Sequence, residues 1–137
     1  MTKSILVCGG CGWEPPASAA YPFRCARSGS DDVDHVLAHR LGAGAVLDRG
    51  DDENPFVRYR EGLYAWHAAR ARGMSDAAFV DLVRRLDDRI AAVDGRGFRV
   101  TPFPRAKALS DRLGLEVRVK DETGNIAGSH KARHLMG

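Results

Sequence analysis

The last third of the chain passes from a helical pattern to an extended one and back to a helical one. After a Thr-Pro turn, "AKALSDRLG" places Leu109 and Leu113 on one face of a short helix that ends at Gly114. "LEVRVK" then alternates apolar and charged residues as a strand does, "DETGNIAGS" is a polar loop, and "SHKARHLMG" begins another helix. This succession of helix, strand, loop and helix predicts an α/β fold.

The middle of the chain contains the clearest helical pattern. In "SDAAFVDLVRRLDDRIAAVDG", Ser75 can cap the first turn, Asp76 suits the positive end of the helix, and Gly95 ends it. The apolar residues of this helix recur at spacings of three and four and form one stripe: Phe79, Leu82, Val83, Leu86, Ile90 and Val93. We expect this stripe to pack in a core.

The chain divides into three segments by composition. Residues 1–32 are rich in Gly, Pro, Cys and Ser and predict a small knuckle-like leader. Residues 33–98 predict a connecting region with a strand in "DVDHVLAHRL", a short aromatic helix that ends near Gly73, and the long helix. Residues 99–137 form the α/β segment.

The composition excludes several classes of protein. At 137 residues, the chain has the length of one ordinary domain. It is 28% charged and 44% apolar, with no bilayer-spanning apolar run and no signal sequence, so we expect a cytoplasmic protein without membrane partners. The net charge is +3, but 21 basic residues face 18 acidic ones and the arginines are dispersed, so we expect no nucleic-acid partner.

Three cysteines lie in the leader. Cys8 and Cys11 form a Cys-x-x-Cys pair, and Cys25 follows them. In a chain without a secretion signal, this pattern indicates metal or redox chemistry rather than a disulfide framework. A redox pair placed at the start of a helix is disfavoured, because no strand-helix element follows Cys11.

A closed zinc site needs a fourth ligand besides these cysteines. Three residues after Cys25 stands Ser28, which is a poor ligand, and His35 is the candidate for the fourth position. Two interpretations stay open. The leader is either a zinc ribbon with three cysteines and one histidine, or a degenerate ribbon packed without metal.

Lys131 stands in the first turn of the final helix, with Ser129 as the candidate N-cap. A lysine at such a position suits Schiff-base chemistry, because the helix N-terminus and nearby polar groups favour the neutral, nucleophilic amine. The pattern alone is weakly specific, since most lysines in the first turn of a helix are solvated surface charges.

A set of residues between positions 101 and 133 resembles a known family. "TPF", a helix that ends in Gly, "VRVKDE" and "ETGNIAGSHKAR" resemble the N-terminal part of the fold type II pyridoxal-phosphate enzymes. This is the tryptophan synthase β-like superfamily, which includes threonine synthase and threonine dehydratase. The matching residues follow in the order and spacing of the family: Thr101, Pro102, Lys120, Glu122, Asn125, Gly128, Ser129, Lys131 and Arg133.

The resemblance extends upstream and implies an activity. "NPFVRYREGL" looks like the segment that precedes the catalytic domain of threonine synthases, and the leader looks like the zinc-ribbon-like start of some of them. The chain would then be the N-terminal portion of a lyase that depends on pyridoxal 5'-phosphate and catalyses β-elimination or replacement on an amino acid. Residues 99–137 would be the start of its catalytic domain, truncated here.

The resemblance also implies roles for residues near the lysine. Lys131 would form the Schiff base with pyridoxal phosphate and move protons at the substrate Cα. Asn125 and His130 would lie next to the cofactor, and Ser129 on the side of the substrate carboxylate. The implied partners are the amino-acid substrate, the missing C-terminal portion of the enzyme and further copies of the chain.

The sequence departs from the family pattern close to Lys131. Ile126 and Ala127 replace the usual Pro and Thr, and His130 replaces the usual Phe, which leaves the substrate open. No Gly-rich run is present to bind the cofactor phosphate through backbone N–H groups, so we expect little turnover from this chain alone. The alternative function is a small zinc-knuckle binding module without catalysis, which would have no reason to carry the block at 101–133.

Overall fold

The computed structural model describes residues 4–16, 19, 22–31, 33–42 and 50–136. The chain forms two compact units, Met1–Leu47 and Asp48–Gly137. The sequence predicts a boundary after residue 32, whereas residues 33–42 belong with the leader. They do so because a strand in this segment pairs with the first strand of the chain.

The first unit contains a two-stranded antiparallel sheet. Strand β1 (Ser4–Cys8) pairs with β2 (Leu37–Leu41) in a register that places Cys8 opposite Leu37. The strand predicted in "DVDHVLAHRL" is therefore confirmed for its second half. Half-buried and exposed residues alternate along β2, as expected for a strand with one covered face. The buried apolar residues described in this unit are Val7, Cys8 and Cys25.

The second unit is mainly helical where the structure describes it. Single 3₁₀ turns lie at Arg60–Gly62 and Ile126–Gly128. Asn54 caps the first helix, because its side chain accepts a hydrogen bond from the backbone N–H of Phe56 at 2.9 Å. The helices are α1 (Pro55–Arg58), α2 (Tyr64–Ala71), α3 (Asp76–Asp94), α4 (Lys107–Leu113) and α5 (Lys131–Met136).

Helix α3 has the two ends that the sequence predicts. The Ser75 hydroxyl accepts a backbone N–H of the first turn, and Gly95 adopts a left-handed φ of 81°. Within the predicted apolar stripe, Phe79 and Val83 are buried, whereas Val93 is 91% exposed. The C-terminal end of the stripe therefore lies outside the core.

The core of the second unit joins α1, α3 and two loops. Phe56 and Phe98 meet edge to face, with their ring centroids 4.9 Å apart. Asp87 of α3 accepts the backbone N–H of Phe98 at 2.7 Å and the side-chain amide of Asn54 at 2.9 Å. Ile126 brings the loop before α5 into the same core. The buried members are Phe56, Val57, Phe79, Val83, Phe98 and Ile126.

The segment "LEVRVK" differs from the strand predicted for it. It is extended, but in the residues that the structure describes it forms one isolated β-bridge, between Arg105 and Arg118. The backbone N–H groups of residues 119 and 121 donate to the carbonyls of Pro104 and Pro102, both at 3.1 Å. Because proline has no N–H, these two residues cannot return a hydrogen bond, and the ladder is interrupted.

The remaining elements bear on the predicted fold class. Helix α4 confirms the helix predicted after the Thr-Pro turn, and Gly114 ends it with a φ of 64°. The α/β class stays a prediction, because the one sheet in the described residues is the β1–β2 pair. None of the described helices combines the length and apolar character that a membrane crossing requires.

Candidate metal centre and candidate cofactor site

Four side chains of the first unit converge on one point. The sulfur atoms of Cys8, Cys11 and Cys25 and a ring nitrogen of His35 all lie within 4.8 Å of one another. Cys11 Sγ is 3.6 Å from Cys25 Sγ. His35 Nδ1 is 3.7 Å from Cys8 Sγ and 3.4 Å from Cys25 Sγ. The structure thus brings together the four residues that the sequence predicts as metal ligands.

These separations match the edges of a tetrahedral site. Zinc binds cysteine sulfur at about 2.3 Å and histidine nitrogen at about 2.0–2.1 Å, which places two sulfur ligands about 3.8 Å apart and sulfur and nitrogen about 3.6 Å apart. Three of the six separations, 3.6, 3.7 and 3.4 Å, are close to these values, and the others are within 4.8 Å. The group could therefore hold a metal ion.

The turn after β1 positions the first two thiols. The backbone N–H of Gly12 donates to the carbonyl of Cys8 at 2.9 Å, and the backbone N–H of Cys8 donates to the carbonyl of Trp13 at 2.8 Å. Gly12 has a φ of 71°, a conformation that residues with a side chain disfavour. The Cys-x-x-Cys-Gly sequence therefore folds into a tight knuckle that turns both thiols toward the same point.

The segment that carries His35 approaches this knuckle closely. The backbone N–H of Gly9 donates to the carbonyl of Val36 at 2.8 Å. A Cβ added at Gly10 would lie 2.6 Å from the carbonyl oxygen of Asp34, which is closer than real contacts allow. A glycine at this position is therefore what lets the histidine reach the cysteines.

The turn after Cys25 is held by its own hydrogen bonds. The backbone N–H of Arg27 donates to Cys25 Sγ at 3.4 Å. The Ser28 hydroxyl and backbone N–H both donate to the carbonyl of Cys25, at 2.8 and 3.1 Å. Ser28 therefore closes the turn and leaves the fourth ligand position to His35, as the sequence predicts. Donors to a ligand sulfur orient it and stabilise its charge.

Burial and hydrogen bonds act in opposite directions on the two buried thiols. Burial alone would raise the pKa of Cys8, but the backbone N–H groups of Cys11 and Gly10 and the neighbouring thiols of Cys11 and Cys25 lower it to about 7. Burial raises the pKa of Cys25, the backbone N–H of Arg27 opposes this in part, and the neighbouring sulfurs add to it. Because metal ligands bind as thiolates, metal binding would release protons.

In the second unit, residues that carry the family resemblance meet around Glu122. Thr101 Oγ1 donates to Glu122 Oε1 at 2.5 Å, and Arg133 Nη2 donates to Glu122 Oε2 at 3.2 Å. Lys120 Nζ lies 3.8 Å from the carboxylate and donates to the carbonyl of Thr101. Burial alone would raise the pKa of Glu122, but hydrogen bonds from Thr101 and Arg133 and the two cations hold it below its ordinary value.

Asn125 anchors the loop that leads to α5. It is fully buried, its Nδ2 donates to the carbonyl of Ser129 at 2.9 Å, and its Oδ1 is buried without a partner in the described residues. Ala127 and Gly128 both have left-handed φ angles, of 52° and 57°. The backbone N–H of Ala127 points to the carboxylate of Asp94, 3.3 Å from each oxygen. The loop is thus tied to α3 on one side and to α5 on the other.

Lys131 is exposed and is the first residue of α5. The Ser129 hydroxyl accepts its backbone N–H at 3.2 Å, which is the capping bond that the sequence predicts. His130 is also exposed, and its ring lies edge to face with that of His134, at 6.1 Å between centroids. The predicted cofactor residues therefore lie along one loop, of which Asn125 is the buried end and Lys131 the exposed end.

Sequence reasoning missed the part played by two aspartates of α3. Asp87 joins Asn54 to the backbone of Phe98, and Asp94 contacts the loop before α5. Both lie on a helix whose charged residues otherwise resemble an ordinary solvated face. Sequence spacing does not indicate these contacts, because the partners are distant in the chain. Asp87 is 33 residues from Asn54 and 11 from Phe98, and Asp94 is 33 residues from Ala127.

No protein-family model, curated protein or solved structure matches the chain. The geometry by itself defines a group of three cysteines and one histidine that could hold a metal ion.

Proposed function

We propose that the chain belongs to the pyridoxal-phosphate-dependent amino-acid lyases of the threonine synthase or threonine dehydratase kind, and that residues 99–137 contribute to their catalytic domain. The observation that carries the proposal is the cluster around Glu122. Thr101, Lys120 and Arg133 are separated from one another by up to 32 residues, yet they contact one another or the same carboxylate. Each is a position of the family motif, and these contacts between motif residues support the proposal.

The buried end of the loop supports a cofactor next to it. Asn125 leaves one amide oxygen buried and unpaired, which costs free energy unless a ligand or another group donates to it. At the other end of the loop, Lys131 presents an exposed amine at the start of a helix. These are the residues that the proposal places beside the cofactor.

The cofactor and the protein residues would have separate roles. Pyridoxal phosphate, when bound, supplies the electron sink that makes loss of a proton from an amino-acid Cα accessible. Lys131 would hold the cofactor and move that proton, and Ser129, whose hydroxyl accepts the backbone N–H of Lys131, would lie on the side of the substrate carboxylate. We propose an amino acid as substrate, a cytoplasmic location, and association with further copies of the chain and with the remainder of the catalytic domain.

Reductive trapping tests the assignment of Lys131. The chain is incubated with pyridoxal phosphate, reduced with borohydride and analysed for pyridoxylated lysine by mass spectrometry of its peptides. We expect Lys131 to be the main labelled site, and substitution Lys131→Ala to remove most of the label. The Lys107→Arg variant is the matched control, because Lys107 is also exposed and starts the short helix α4.

Equal labelling of Lys107 and Lys131 would show an unselective surface reaction and would reject the proposed cofactor site. A second variant, Asn125→Ala, distinguishes a cofactor site from a surface lysine that is merely reactive. If the buried amide contributes to a cofactor site, its loss lowers the labelling of Lys131 at limiting pyridoxal phosphate. Far-UV circular dichroism, which reports the total helix content, shows whether that variant is still folded.

We propose in addition that the cluster of Cys8, Cys11, Cys25 and His35 holds a structural zinc ion. The sulfur and nitrogen separations support this assignment, because they are close to those of a tetrahedral zinc site. Zinc would supply no redox chemistry and would join the knuckle, the turn after Cys25 and the segment that precedes strand β2.

Metal analysis of the purified, reduced chain tests the zinc proposal. We expect about one zinc ion per chain, with loss of the metal in Cys25→Ser. Ser28→Ala is the matched control, because Ser28 occupies the spacing at which zinc ribbons commonly have a ligand but here bonds to a backbone carbonyl. Absence of zinc from the reduced protein, or its loss in Ser28→Ala, would contradict the assignment.

The same two experiments separate the proposed enzyme from a zinc-knuckle binding module, the alternative that the metal cluster favours. A binding module would retain zinc and show no preference for Lys131 in reductive trapping. The proposed lyase portion would show both zinc and selective labelling.

A further inference from the structure

The three thiols of the cluster differ in their exposure to solvent. Cys8 and Cys25 are 2% and 3% exposed, whereas Cys11 is partly exposed. Small oxidants react with thiols that they can reach, and the reaction rate depends on access as well as on thiolate character. Cys11 is therefore the thiol of this group that a peroxide reaches first.

Cys11 has a neighbouring thiol besides Cys8, its partner in the Cys-x-x-Cys motif. Cys11 Sγ lies 3.6 Å from Cys25 Sγ, about 1.6 Å longer than a disulfide bond. Cys25 also belongs to a different turn of the chain, so a bond between these sulfurs would join the knuckle to the turn after Cys25.

We propose that the cluster of Cys8, Cys11, Cys25 and His35 is a peroxide-sensitive site, in which oxidation joins Cys11 to Cys25 and releases the zinc ion; the release step rests on the proposed zinc site. In the first step, Cys11 sulfur attacks one oxygen of hydrogen peroxide, the O–O bond breaks, and a sulfenic acid and water form. In the second step, Cys25 sulfur attacks Cys11 sulfur, the S–S bond forms, and the sulfenic oxygen leaves as a second water after protonation.

The electrons balance in this sequence. One hydroperoxide accepts two electrons and two thiols lose them, so the oxidant is consumed one for one with the disulfide formed. A metal held by three sulfurs and one nitrogen loses two of its four ligands in the same event. Cys8 and His35 remain as a pair that binds zinc weakly, so the metal leaves.

Tryptic digestion distinguishes the products because cleavage after Arg24 and Arg27 separates the thiols. Cys8 and Cys11 lie in the peptide of residues 4–24, and Cys25 lies in the peptide of residues 25–27. A bond to Cys25 links the two peptides, whereas a Cys8–Cys11 bond stays within one peptide and lowers its mass by two hydrogens. Remaining thiols are blocked with iodoacetamide before digestion.

The chain of residues 1–137 is treated with hydrogen peroxide in zinc-loaded and metal-free forms. We expect the linked peptide pair in both forms, and in the loaded form we expect zinc to appear at a chromogenic chelator one for one with it. Cys11→Ser should remove the linked peptide from the metal-free protein, and Cys8→Ser should retain it. A predominant Cys8–Cys11 bond, or a linked peptide that persists in Cys11→Ser, would overturn the proposal.

Treatment of the metal-free form tests the disulfide independently of the zinc assignment. Only the release step depends on that assignment. If the chain binds no zinc but still forms the Cys11–Cys25 bond, the thiol pairing stands and the metal release is rejected. If zinc binds but peroxide leaves both the metal and the thiols unchanged under conditions that oxidise free cysteine, the redox proposal fails and the zinc site stands.

Discussion

In the first unit, two of the three buried apolar residues described are cysteines of the candidate metal centre, whereas the second unit buries a contiguous set of aromatic and aliphatic side chains. The difference corresponds to two general ways of stabilising small folds. Below a certain size a chain cannot bury enough apolar surface to offset its conformational entropy, and metal ions commonly take over that role. The second unit instead packs α3 against α1 and the Phe98 and Ile126 loops.

Removal of the metal should have the largest effect, and it should affect the first unit but not the second. Chelation should unfold the β1–β2 sheet of the zinc-loaded chain, because structural zinc contributes about 10–16 kcal/mol of apparent binding free energy in small peptides. Helix α3 should remain. Amide hydrogen exchange provides the measurement, with the N–H groups of Cys8 and Gly12 losing protection and those inside α3 keeping theirs. Retained protection at Cys8 without metal would show that the first unit is stable on its own.

Substitution Phe79→Ala tests the other half of the comparison. Phe79 is 6% exposed in the core, and its truncation should lower the free energy of unfolding of the second unit by about 3–5 kcal/mol. Urea unfolding followed by helical circular dichroism measures the change, and zinc content should stay the same. Val93→Ala on the same helix is the control, with an expected change of about 0.5 kcal/mol or less because Val93 is 91% exposed.

The Glu122 cluster predicts a smaller effect that depends on pH. Glu122→Gln should lower the free energy of unfolding by about 1–2 kcal/mol at neutral pH, because the hydrogen bonds to Thr101 and Arg133 lose their charge assistance. The folded-state pKa of Glu122 is lowered, so its contribution is complete above the ordinary glutamate value of about 4.3 and is lost as pH falls through the folded value.

Wild-type protein should therefore lose stability below about pH 4.3 more steeply than Glu122→Gln does. Urea unfolding at several pH values measures the two slopes. Glu116→Gln serves as the control, because Glu116 is exposed and pairs with Arg118 at the surface. Parallel slopes for wild type and Glu122→Gln would show that the cluster contributes no stability through its charge.

Sequence reasoning succeeded where local physics decides the structure. The limits of α3 follow from an N-cap serine and a left-handed glycine, and both ends were predicted from residue type alone. The metal group was also predictable, because the Cys-x-x-Cys spacing and the poor ligand at Ser28 leave His35 as the candidate. The structure adds that Gly10 makes room for the approach of the segment that carries His35.

The rest depends on contacts between distant residues. The burial of Phe79 but not of Val93 is decided by which elements reach α3, and periodicity treats the two positions alike. The boundary between the units follows from the pairing of β2 with β1, which no local sequence pattern predicts. The meeting of Thr101 and Glu122 spans 21 residues, and motif spacing indicates that both matter without indicating that they touch.

The extended segment opposite the two prolines also bears on how the protein behaves at high concentration. Leu115 and Val119 are exposed, 66% and 46%, in a segment with the alternation of an aggregation-prone strand. Charged residues stand between and after them, and charged side chains on an exposed strand disfavour pairing with an incoming chain: Glu116, Arg118 and Lys120. The same alternation that predicts a strand within the molecule thus also limits β-stacking between molecules.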